Sequence, residues 1–212
     1  MSRGPRRTAS VSRAPGADPV RTKPRAPVAP RPHLIVLAGL PGVGKSEVAR
    51  ALARRLGALW LRVDTIEASL LRAGIPRSFE TGLAAYLAAR DLAEEHLRNH
   101  GDVVIDAVNG VEPARQMWRD LARNAPADLR VVEVRCEDRE EHRRRVEGRV
   151  PPTPPLPTPT WEEVLNREYL PWTESILVVD GARPPRSNAD RILRSIGRQA
   201  GGPRAPRPAG KT

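Results

Sequence analysis

The sequence predicts an α/β fold of the P-loop NTPase type, a three-layer sandwich in which a five-stranded parallel sheet lies between helices. Two observations lead to this prediction. Short apolar runs of strand length alternate along the chain with segments of helical periodicity, as expected when parallel strands are joined by helical crossovers. A glycine-rich phosphate-binding motif stands directly between the first apolar run and the first helical segment.

The first half of the chain begins with a buried strand. Residues 34–38 are all apolar, which indicates a strand covered on both faces. Val48, Leu52 and Leu56 recur at steps of four, and this spacing predicts a helix over about 45–57. A second strand is expected at 58–63, helices near 65–73 and 79–99, and a third strand at 102–106.

The second half continues the alternation on both sides of a proline-rich segment. A helix is predicted at about 112–123, a fourth strand at 129–134 and a helix near 138–147. Residues 151–159 contain six prolines, which exclude a helix or a central strand there. A short helix at 161–168, a fifth strand at 176–179 and a last helix at 188–196 complete the pattern.

The excess positive charge lies at the two ends of the chain. The net charge is +11, and residues 1–32 and 198–212 account for all of it, so that residues 33–197 are formally neutral. Both ends are rich in proline and poor in large apolar side chains, so we expect disordered basic tails around one folded domain at 33–197. A nucleic-acid contact is expected only through the tails, because a polyanion site needs clustered positive charge.

The location of the protein follows from what the sequence lacks. The single cysteine, Cys136, cannot form an intramolecular disulfide. No apolar run approaches the roughly 20 residues that cross a bilayer, and no apolar stretch of signal-peptide type precedes His33. We therefore expect a cytoplasmic protein with no membrane partner.

Residues 39–46 match the phosphate-binding loop pattern of Gly, four residues and Gly-Lys-Ser. The motif reads Gly39-Leu40-Pro41-Gly42-Val43-Gly44-Lys45-Ser46. Its glycines let backbone N–H groups turn toward a phosphate, and the N-terminus of the following helix adds positive potential. Lys45 is expected to bridge the β- and γ-phosphates of ATP, and the Ser46 hydroxyl to ligate Mg²⁺.

Two acids at predicted strand ends are candidates for the chemistry beside this loop. Asp106 ends the third strand, where open α/β sheets bind ligands, and is expected to support Mg²⁺; a turn-forming role is the alternative. Asp64 ends the second strand and could accept the proton of a substrate hydroxyl that attacks the γ-phosphate. With Glu67 three residues later it also resembles a capping box, so helix capping is an alternative or additional role.

Arginines cluster just before the proline-rich segment. Arg145 and Arg149 are four residues apart and share a helical face. Guanidinium groups that close over the phosphates would neutralise charge in the transition state and exclude water, so this pair is the candidate for catalytic lid arginines. Pairing with Glu140, Glu141 and Glu147 on a solvated face is the alternative. His142, in the same run, is expected at the surface.

Together these segments resemble the small P-loop kinases, a group of zeta-toxin-like, chloramphenicol-phosphotransferase-like, gluconate-kinase-like and polynucleotide-kinase-like proteins often described as AAA-type ATPases. The resemblance covers about 33–197 and rests on the phosphate loop and on Leu61-Arg62-Val63-Asp64, Val104-Ile105-Asp106-Ala107, 142–149 and 157–164. It implies a sheet of nucleoside-kinase type with strand order 2-3-1-4-5 and an arginine-bearing lid at about 137–172. It also implies that Asp64 contacts or deprotonates the acceptor hydroxyl.

The leading hypothesis is an ATP- and Mg²⁺-dependent kinase that phosphorylates a hydroxyl of a small molecule, with Lys45, Asp64, Arg145 and Arg149 as catalytic residues. Two alternatives stay open, a nucleotide-binding regulatory ATPase with little turnover and a polynucleotide 5′-hydroxyl kinase. Polynucleotide-kinase-like proteins carry an Arg where this chain has Glu67, which disfavours the second alternative. The resemblance places the acceptor pocket within about 65–100, where the candidate side chains are Arg72, Arg77, Phe79, Tyr86 and Arg90.

Overall fold

The computed structural model describes residues 31–148 and 156–198, together with Met1. The five strands are β1 (His33–Ala38), β2 (Leu59–Arg62), β3 (Val103–Asp106), β4 (Asp128–Arg135) and β5 (Leu177–Asp180). They form one parallel sheet in the order β2-β3-β1-β4-β5. The order is the predicted one, so the predicted fold class is confirmed.

Seven helices of the described residues connect and cover these strands. They are α1 (Lys45–Leu56), α2 (Val63–Arg72), α3 (Phe79–Arg98), α4 (Glu112–Asn124), α5 (Arg139–Glu147), α6 (Trp161–Leu165) and α7 (Pro185–Ser195). Among them, no helix has both the length and the apolar character that a membrane crossing requires.

Strand β1 lies at the centre of the sheet and is buried on both faces, as predicted. Leu34 and Val36 pack with residues of α3 and α4 in one hydrophobic cluster. Ile35 and Leu37 pack with residues of α1 and α7 in a second cluster. Because neighbouring residues of a strand point to opposite faces, a central strand between two layers of helices needs an uninterrupted apolar run.

Helix α1 confirms the periodicity that predicted it. Val48, Leu52 and Leu56 are all buried in the cluster that joins α1 to α7 and to one face of the sheet. The helix ends at Leu56, and Gly57 forms its C-cap in the left-handed conformation, which glycine adopts without steric cost.

Helix α2 begins directly at the end of β2, which differs from the prediction. Pairing with β3 ends at Arg62, which stands opposite Asp106. Arg62 is also the N-cap of α2, without a side-chain capping bond, and Asp64 lies inside the first turn. The predicted capping box of Asp64 and Glu67 is therefore wrong, because the backbone enters the helix before it reaches Asp64.

Two other helix ends differ from their predicted positions. Helix α6 begins with a capping box of Thr160 and Glu163 and ends at Leu165, earlier than predicted. Helix α7 begins at Pro185, before the predicted start at 188. A proline fits in a first helical turn because the N–H that it lacks would have no partner within the helix.

Most of the two predicted tails lies outside the described residues; Met1, Arg31, Pro32 and Arg198 are described. The carbonyl oxygen of Pro32 accepts a hydrogen bond from the backbone N–H of Asp128 at 2.9 Å. The guanidinium group of Arg198 lies 3.6 Å from the carboxylate of Asp102. These two residues of the predicted tails are thus bonded to the sheet end opposite the phosphate loop.

Candidate functional site

A cleft of about 740 Å³ lies at the carboxyl ends of the parallel strands. The phosphate loop, the ends of β2 and β3, helix α5, the segment 156–159 and the loop after β5 all contribute to its wall. Open α/β sheets bind ligands at this edge. The fold brings eight of the predicted site residues into this cleft: Pro41, Gly42, Gly44, Lys45, Ser46, Asp64, Asp106 and Arg145.

The phosphate loop connects β1 to α1 and contains three glycines with positive φ, Gly39, Gly42 and Gly44. The N–H of Gly39 donates to the carbonyl oxygen of Val108 at 3.1 Å, which ties the loop to the segment after β3. A Cβ at Gly42 would lie 2.5 Å from Cγ2 of Val146 in α5. Only glycine fits at this position. The phosphate loop is therefore held by the segment after β3 on one side and by α5 on the other.

Lys45 and Ser46 begin helix α1 and face the cleft. The Lys45 side chain is buried, and its Nζ donates to the carbonyl oxygen of Leu40 at 2.8 Å. Ser46 is hydrogen-bonded to the carboxylate of Asp106. An ammonium group, a hydroxyl and a carboxylate therefore lie together at the N-terminus of α1, where the helix dipole favours anions.

Asp106 ends β3 and is almost completely buried. Burial raises the pKa of its carboxyl group, although Lys45, the hydrogen bond with Ser46 and Arg62 act in the opposite direction. Its Oδ2 makes no hydrogen bond within the part of the chain that the structure describes. A buried carboxylate oxygen without a donor is the kind of atom that a bound cation stabilises.

The residues present at this point fit Mg²⁺. The Ser46 hydroxyl and the unbonded Oδ2 of Asp106 are hard oxygen ligands, the type that Mg²⁺ prefers. Residues 31–148 and 156–198 contain no group of three or more His, Cys, Asp or Glu side chains that could hold a metal. Mg²⁺ at a phosphate site takes most of its ligands from phosphate oxygens and water, with one or two from the protein.

Arg62 joins the two candidate carboxylates. Its Nη2 donates to Oδ2 of Asp64 at 3.1 Å, and its Nε lies 3.8 Å from Oδ2 of Asp106. Asp64 itself is about half exposed toward the cleft, whereas Arg62 is mostly buried. Sequence reasoning missed this role of Arg62. The register of two parallel strands that both end in a charged residue is the signal that could have found it.

Three more charged side chains line the same cleft as Arg62 and Asp64: Glu67, Arg77 and Arg167. Glu67 follows Asp64 on α2, Arg77 lies in the loop before α3, and Arg167 follows α6. Burial and the charge of Asp64 raise the pKa of Glu67, whereas Arg77 and Arg167 lower it. The four groups therefore share one electrostatic environment.

Of the five side chains considered for the acceptor pocket, Arg77 lines the cleft. Arg72 and Arg90 bond to neighbouring polar side chains of their own helices. Phe79 is 80% exposed. Tyr86 is half-buried inside the hydrophobic cluster between α3 and the sheet, where burial raises its pKa to about 12. These four do not line the cleft.

Helix α5 carries Arg145 into the cleft. Its Nε donates to Oε1 of Glu141 at 2.6 Å, and its Nη1 donates to the carbonyl oxygen of Gly181 at 2.9 Å. Arg145 thus pairs with an acid of its own helix, as the alternative to a lid role predicted. This ion pair holds Arg145 beside the phosphate loop rather than on a solvated face. Arg149, the other predicted lid arginine, lies outside the described residues.

His142 is 6% exposed, and the expectation that it lies at the surface is wrong. Its Nε2 lies 2.8 Å from the carbonyl oxygen of Pro41 in the phosphate loop. The ring also meets Trp161 of α6 edge to face, with 5.0 Å between the ring centroids. The charged neighbours of His142 suggested a solvated helix, but α5 packs one face on the phosphate loop.

The loop after β5 closes the cleft on the side of the phosphate loop. The N–H of Gly181 donates to the carbonyl oxygen of Arg135 at 2.7 Å. A Cβ at Gly181 would lie 1.7 Å from the carbonyl oxygen of Val43. The two backbones approach so closely that glycine is required, and residues 182–185 then line the cleft.

Asn109 fixes the loop that follows Asp106, and sequence reasoning missed it. It is fully buried with φ 50°, in the left-handed region that asparagine tolerates. Its Nδ2 donates to the carbonyl oxygen of Leu37 at 2.7 Å, and its Oδ1 accepts from Nε1 of Trp118 at 2.8 Å. The Asn-Gly pair directly after a strand is the signal that could have found this turn.

Arg115 is a second buried residue that sequence reasoning missed. Its guanidinium group donates to the backbone carbonyls of 109–110 and of 170–171, and so joins the two loops. It also lies 3.7 Å over the centre of the Trp172 ring, a cation–π contact. Arg115 lies on the same buried face of α4 as Trp118. The sequence alone does not distinguish a buried arginine at this position from an exposed one.

Solved structures of other proteins share this fold. A putative kinase from Chloroflexus aurantiacus is 19% identical with a TM-score of 0.64, over 79% of this chain and 98% of that chain. Mycobacterium tuberculosis APS kinase CysC in complex with AMPPNP and APS is 18% identical with a TM-score of 0.63, over 80% and 99%. Chaetomium thermophilum Kti12 in complex with ADP-AlF3 is 22% identical with a TM-score of 0.56, over 77% and 98%.

At these identities the likeness concerns the fold, which is that of the small P-loop kinases, as the resemblance implied. A comparison with curated protein sequences finds no match. The family model described as AAA domain matches residues 34–170, from β1 through the phosphate loop and helix α5 to the segment after α6. Since this match spans more than half of the sequence, the chain belongs to the AAA-domain family.

Proposed function

We propose that the chain is an ATP- and Mg²⁺-dependent kinase that transfers the γ-phosphate of ATP to a hydroxyl group of a small molecule. The observation that carries this proposal is that one cleft contains both the phosphate loop and the half-exposed carboxylate of Asp64. A kinase needs a site for the transferred phosphate and a base for the attacking hydroxyl, which the phosphate loop and Asp64 would supply.

At the nucleotide end, the backbone N–H groups of the phosphate loop and the ammonium group of Lys45 would bind the phosphates of ATP. Ser46 and Asp106 would hold Mg²⁺, which neutralises phosphate charge when it is bound. The guanidinium group of Arg145, beside the loop, would neutralise charge that develops on the transferred phosphoryl group. Arg149 would act with it as a second arginine of the predicted lid at about 137–172.

At the acceptor end, Asp64 would accept the proton of the substrate hydroxyl as its oxygen bonds to the γ-phosphorus and the bond to ADP breaks. Arg62 donates a hydrogen bond to Oδ2 of Asp64 and so orients the carboxylate. The phosphoryl group then resides on the acceptor, and the proton resides on Asp64 until solvent removes it.

The names of the similar structures support this proposal. One is an APS kinase in complex with AMPPNP and APS, one is a putative kinase, and Kti12 is in complex with ADP-AlF3. We also propose a cytoplasmic location, a folded domain at 33–197 between basic tails, and nucleic-acid contact, if any, through those tails.

The test measures ADP production from ATP and Mg²⁺ by the full chain, alone and with a panel of amino sugars, nucleosides, sugar acids and simple alcohols. Lys45→Ala is the blank for contaminating activity. Asp64→Asn is expected to lower acceptor-dependent turnover by about 10²–10⁴-fold, the range for loss of a general base, with ATP affinity retained. Asp91→Asn, an exposed acid of α3 outside the cleft, is the matched control.

Acceptor-dependent ADP that is absent in the blank supports the kinase. If Asp64→Asn turns over as fast as the wild type, Asp64 has no part in the chemistry. ATP binding without turnover for any acceptor in a broad panel would favour the regulatory alternative, in which the nucleotide acts as a switch.

A further inference from the structure

Most of the cations that line the cleft already have partners. Arg62 lies beside two carboxylates, and Arg144 and Arg145 pair with Glu141. Arg183 lies 4.0 Å from the carboxylate of Asp180. The cationic groups of the cleft are thus mostly committed to the protein itself.

Arg77 and Arg167 differ from this pattern. Within residues 31–148 and 156–198, neither guanidinium group makes a hydrogen bond or lies within 4.0 Å of a carboxylate oxygen. Both line the cleft, and both charges act on Glu67. Two unpaired guanidinium groups therefore face the same space, with one carboxylate near them.

The two arginines come from different parts of the fold. Arg77 lies in the loop between α2 and α3, and Arg167 follows α6 after the proline-rich segment. They reach the cleft on the side of Asp64 and Glu67, whereas Arg144 and Arg145 reach it from α5 on the side of the phosphate loop.

We propose that Arg77 and Arg167 form a binding site for an oxyanion of the acceptor, a carboxylate, sulfate or phosphate group, which holds the acceptor hydroxyl at Asp64. This inference rests on the proposed kinase function and narrows its substrate to anionic small molecules. Guanidinium groups match such oxyanions because their N–H donors form paired, charge-assisted hydrogen bonds.

The two guanidinium groups favour an anionic ligand, whereas the carboxylates of Asp64 and Glu67 in the same environment oppose one. Two like charges that share a partly enclosed space repel each other, and an anion between them removes that repulsion. Thr158 lines the same cleft, and its Oγ1 is buried and makes no hydrogen bond within the described residues. A polar ligand in the cleft would give this hydroxyl the partner that it lacks.

The charge of the domain favours a small ligand over a nucleic-acid strand. Residues 33–197 are formally neutral, so the domain has no net positive charge to attract a polyanion. The two arginines can bind one anionic group, which is what a small-molecule acceptor would present.

The first experiment compares acceptors that differ in the group at one carbon, with the full chain and Mg²⁺·ATP. Glucose is compared with glucuronate, glucose 6-phosphate and glucose 6-sulfate, which carry the three oxyanions at the same carbon of one pyranose ring. At least one of the three anionic acceptors is expected to have a kcat/KM higher than that of glucose by about tenfold or more. In Arg77→Gln/Arg167→Gln, KM for that acceptor rises by about tenfold or more while kcat changes little, because the arginines bind but do not react.

The second experiment needs no turnover. Inorganic sulfate, phosphate and acetate are titrated calorimetrically into the full chain saturated with Mg²⁺·AMPPNP, so that the phosphate loop is filled. At least one of these anions is expected to bind, and the double variant is expected to weaken that binding by about tenfold. Arg72→Gln, an exposed arginine of α2 that bonds to Ser69 and does not line the cleft, is the control and keeps wild-type binding.

The outcomes separate the two proposals. Anion binding that depends on both arginines, with no turnover for any acceptor, supports the anion site and overturns the kinase. Turnover of neutral acceptors that the double variant does not change supports the kinase and overturns the anion site. Anion binding that is absent from the wild type, or equal in the double variant, also overturns the anion site. Unchanged AMPPNP affinity in the double variant shows that the fold is intact and that the arginines do not serve the nucleotide.

Discussion

Nε2 of His142 lies 2.8 Å from the carbonyl oxygen of Pro41, and this contact bonds helix α5 to the phosphate loop. Val146, one turn later on the same helix, packs where a Cβ at Gly42 would stand. The helix that carries Arg145 therefore holds the loop that is expected to bind phosphate. A substitution at His142 should change the affinity for a nucleotide in that loop, although His142 itself is not expected to contact the nucleotide.

We expect His142→Ala to weaken the binding of Mg²⁺·ATP by about five- to tenfold, the equivalent of one lost hydrogen bond of about 1 kcal/mol. His142→Gln should restore most of this affinity, because its amide nitrogen can donate to the same carbonyl. Calorimetric titration of AMPPNP measures both variants. Wild-type affinity in His142→Ala would show that the loop keeps its conformation without α5.

Arg115 is expected to be a major contributor to stability. Arg115→Met removes the donor of four backbone carbonyls in two loops, and we expect it to lower the free energy of unfolding by about 3 kcal/mol or more, because buried acceptors are left unpaired. Arg119→Met is the matched control. Arg119 lies one turn later and makes surface ion pairs with Glu112 and Glu174, which contribute about 0–1 kcal/mol.

Urea denaturation of both variants, followed by circular dichroism, gives the two free energies. Equal losses in Arg115→Met and Arg119→Met would mean that water replaces the guanidinium group in the loops at little cost.

Asn109 should matter for the same loop through different partners. Asn109→Ala leaves the Nε1–H of Trp118 and the carbonyl oxygen of Leu37 unpaired in a buried position. We expect a loss of about 2–4 kcal/mol in the free energy of unfolding. Asn124→Ala, at an exposed position at the end of α4, should change it by no more than about 0.5 kcal/mol. Thermal unfolding of the two variants compares them directly; similar melting temperatures would contradict this assignment.

Asp102 links stability to acid pH. Burial opposes its charge, but the hydrogen bonds from His33 and the nearby guanidinium group of Arg198 outweigh burial, and the pKa of Asp102 is lowered below its ordinary value of 3.8. A lowered pKa means that the stabilisation is present above the ordinary pKa and is lost as pH falls toward the folded-state pKa. We expect Asp102→Asn to reduce the free energy of unfolding at pH 7 by about 1.5–3 kcal/mol.

The difference between wild type and Asp102→Asn should shrink as pH falls below about 4. Urea denaturation at a series of pH values between neutral and acidic tests this. Asp128→Asn, an exposed acid on β4, is the control and should show no such convergence. A difference that stays constant down to the most acid pH would show that the Asp102 charge does not carry the stabilisation.

Local sequence patterns predict most of the fold because burial of apolar side chains determines each of these patterns. Residues 34–38 are apolar without interruption because β1 is covered on both faces, and Val48, Leu52 and Leu56 follow the helical period because they share a buried face. Helix ends were less predictable. The start of α2 at Val63 depends on where pairing with β3 stops, which is a tertiary fact that no local pattern contains.

Some residues of the site could likewise be predicted from the sequence, and others could not. The phosphate loop could be predicted because its glycines, lysine and serine all lie within residues 39–46 at a fixed spacing. Asp64 and Asp106 could be predicted because strand ends meet at one edge of a parallel sheet. His142 could not be predicted, because its contact with Pro41 joins elements that are far apart in sequence. Arg167 could not be predicted either, because only the fold brings it to the cleft. A charged residue has the same local pattern whether it faces water or a buried carboxylate.

The outer strands of the sheet bear on a different property, colloidal stability. β2 and β5 form the two edges of the described sheet, and each is four residues long. A strand of that length leaves only a few backbone groups open to pairing with another chain, which is a common defence of sheet proteins against aggregation. The fold thus keeps its longest strands, β1 and β4, inside the sheet, where they cannot act as templates for intermolecular sheets.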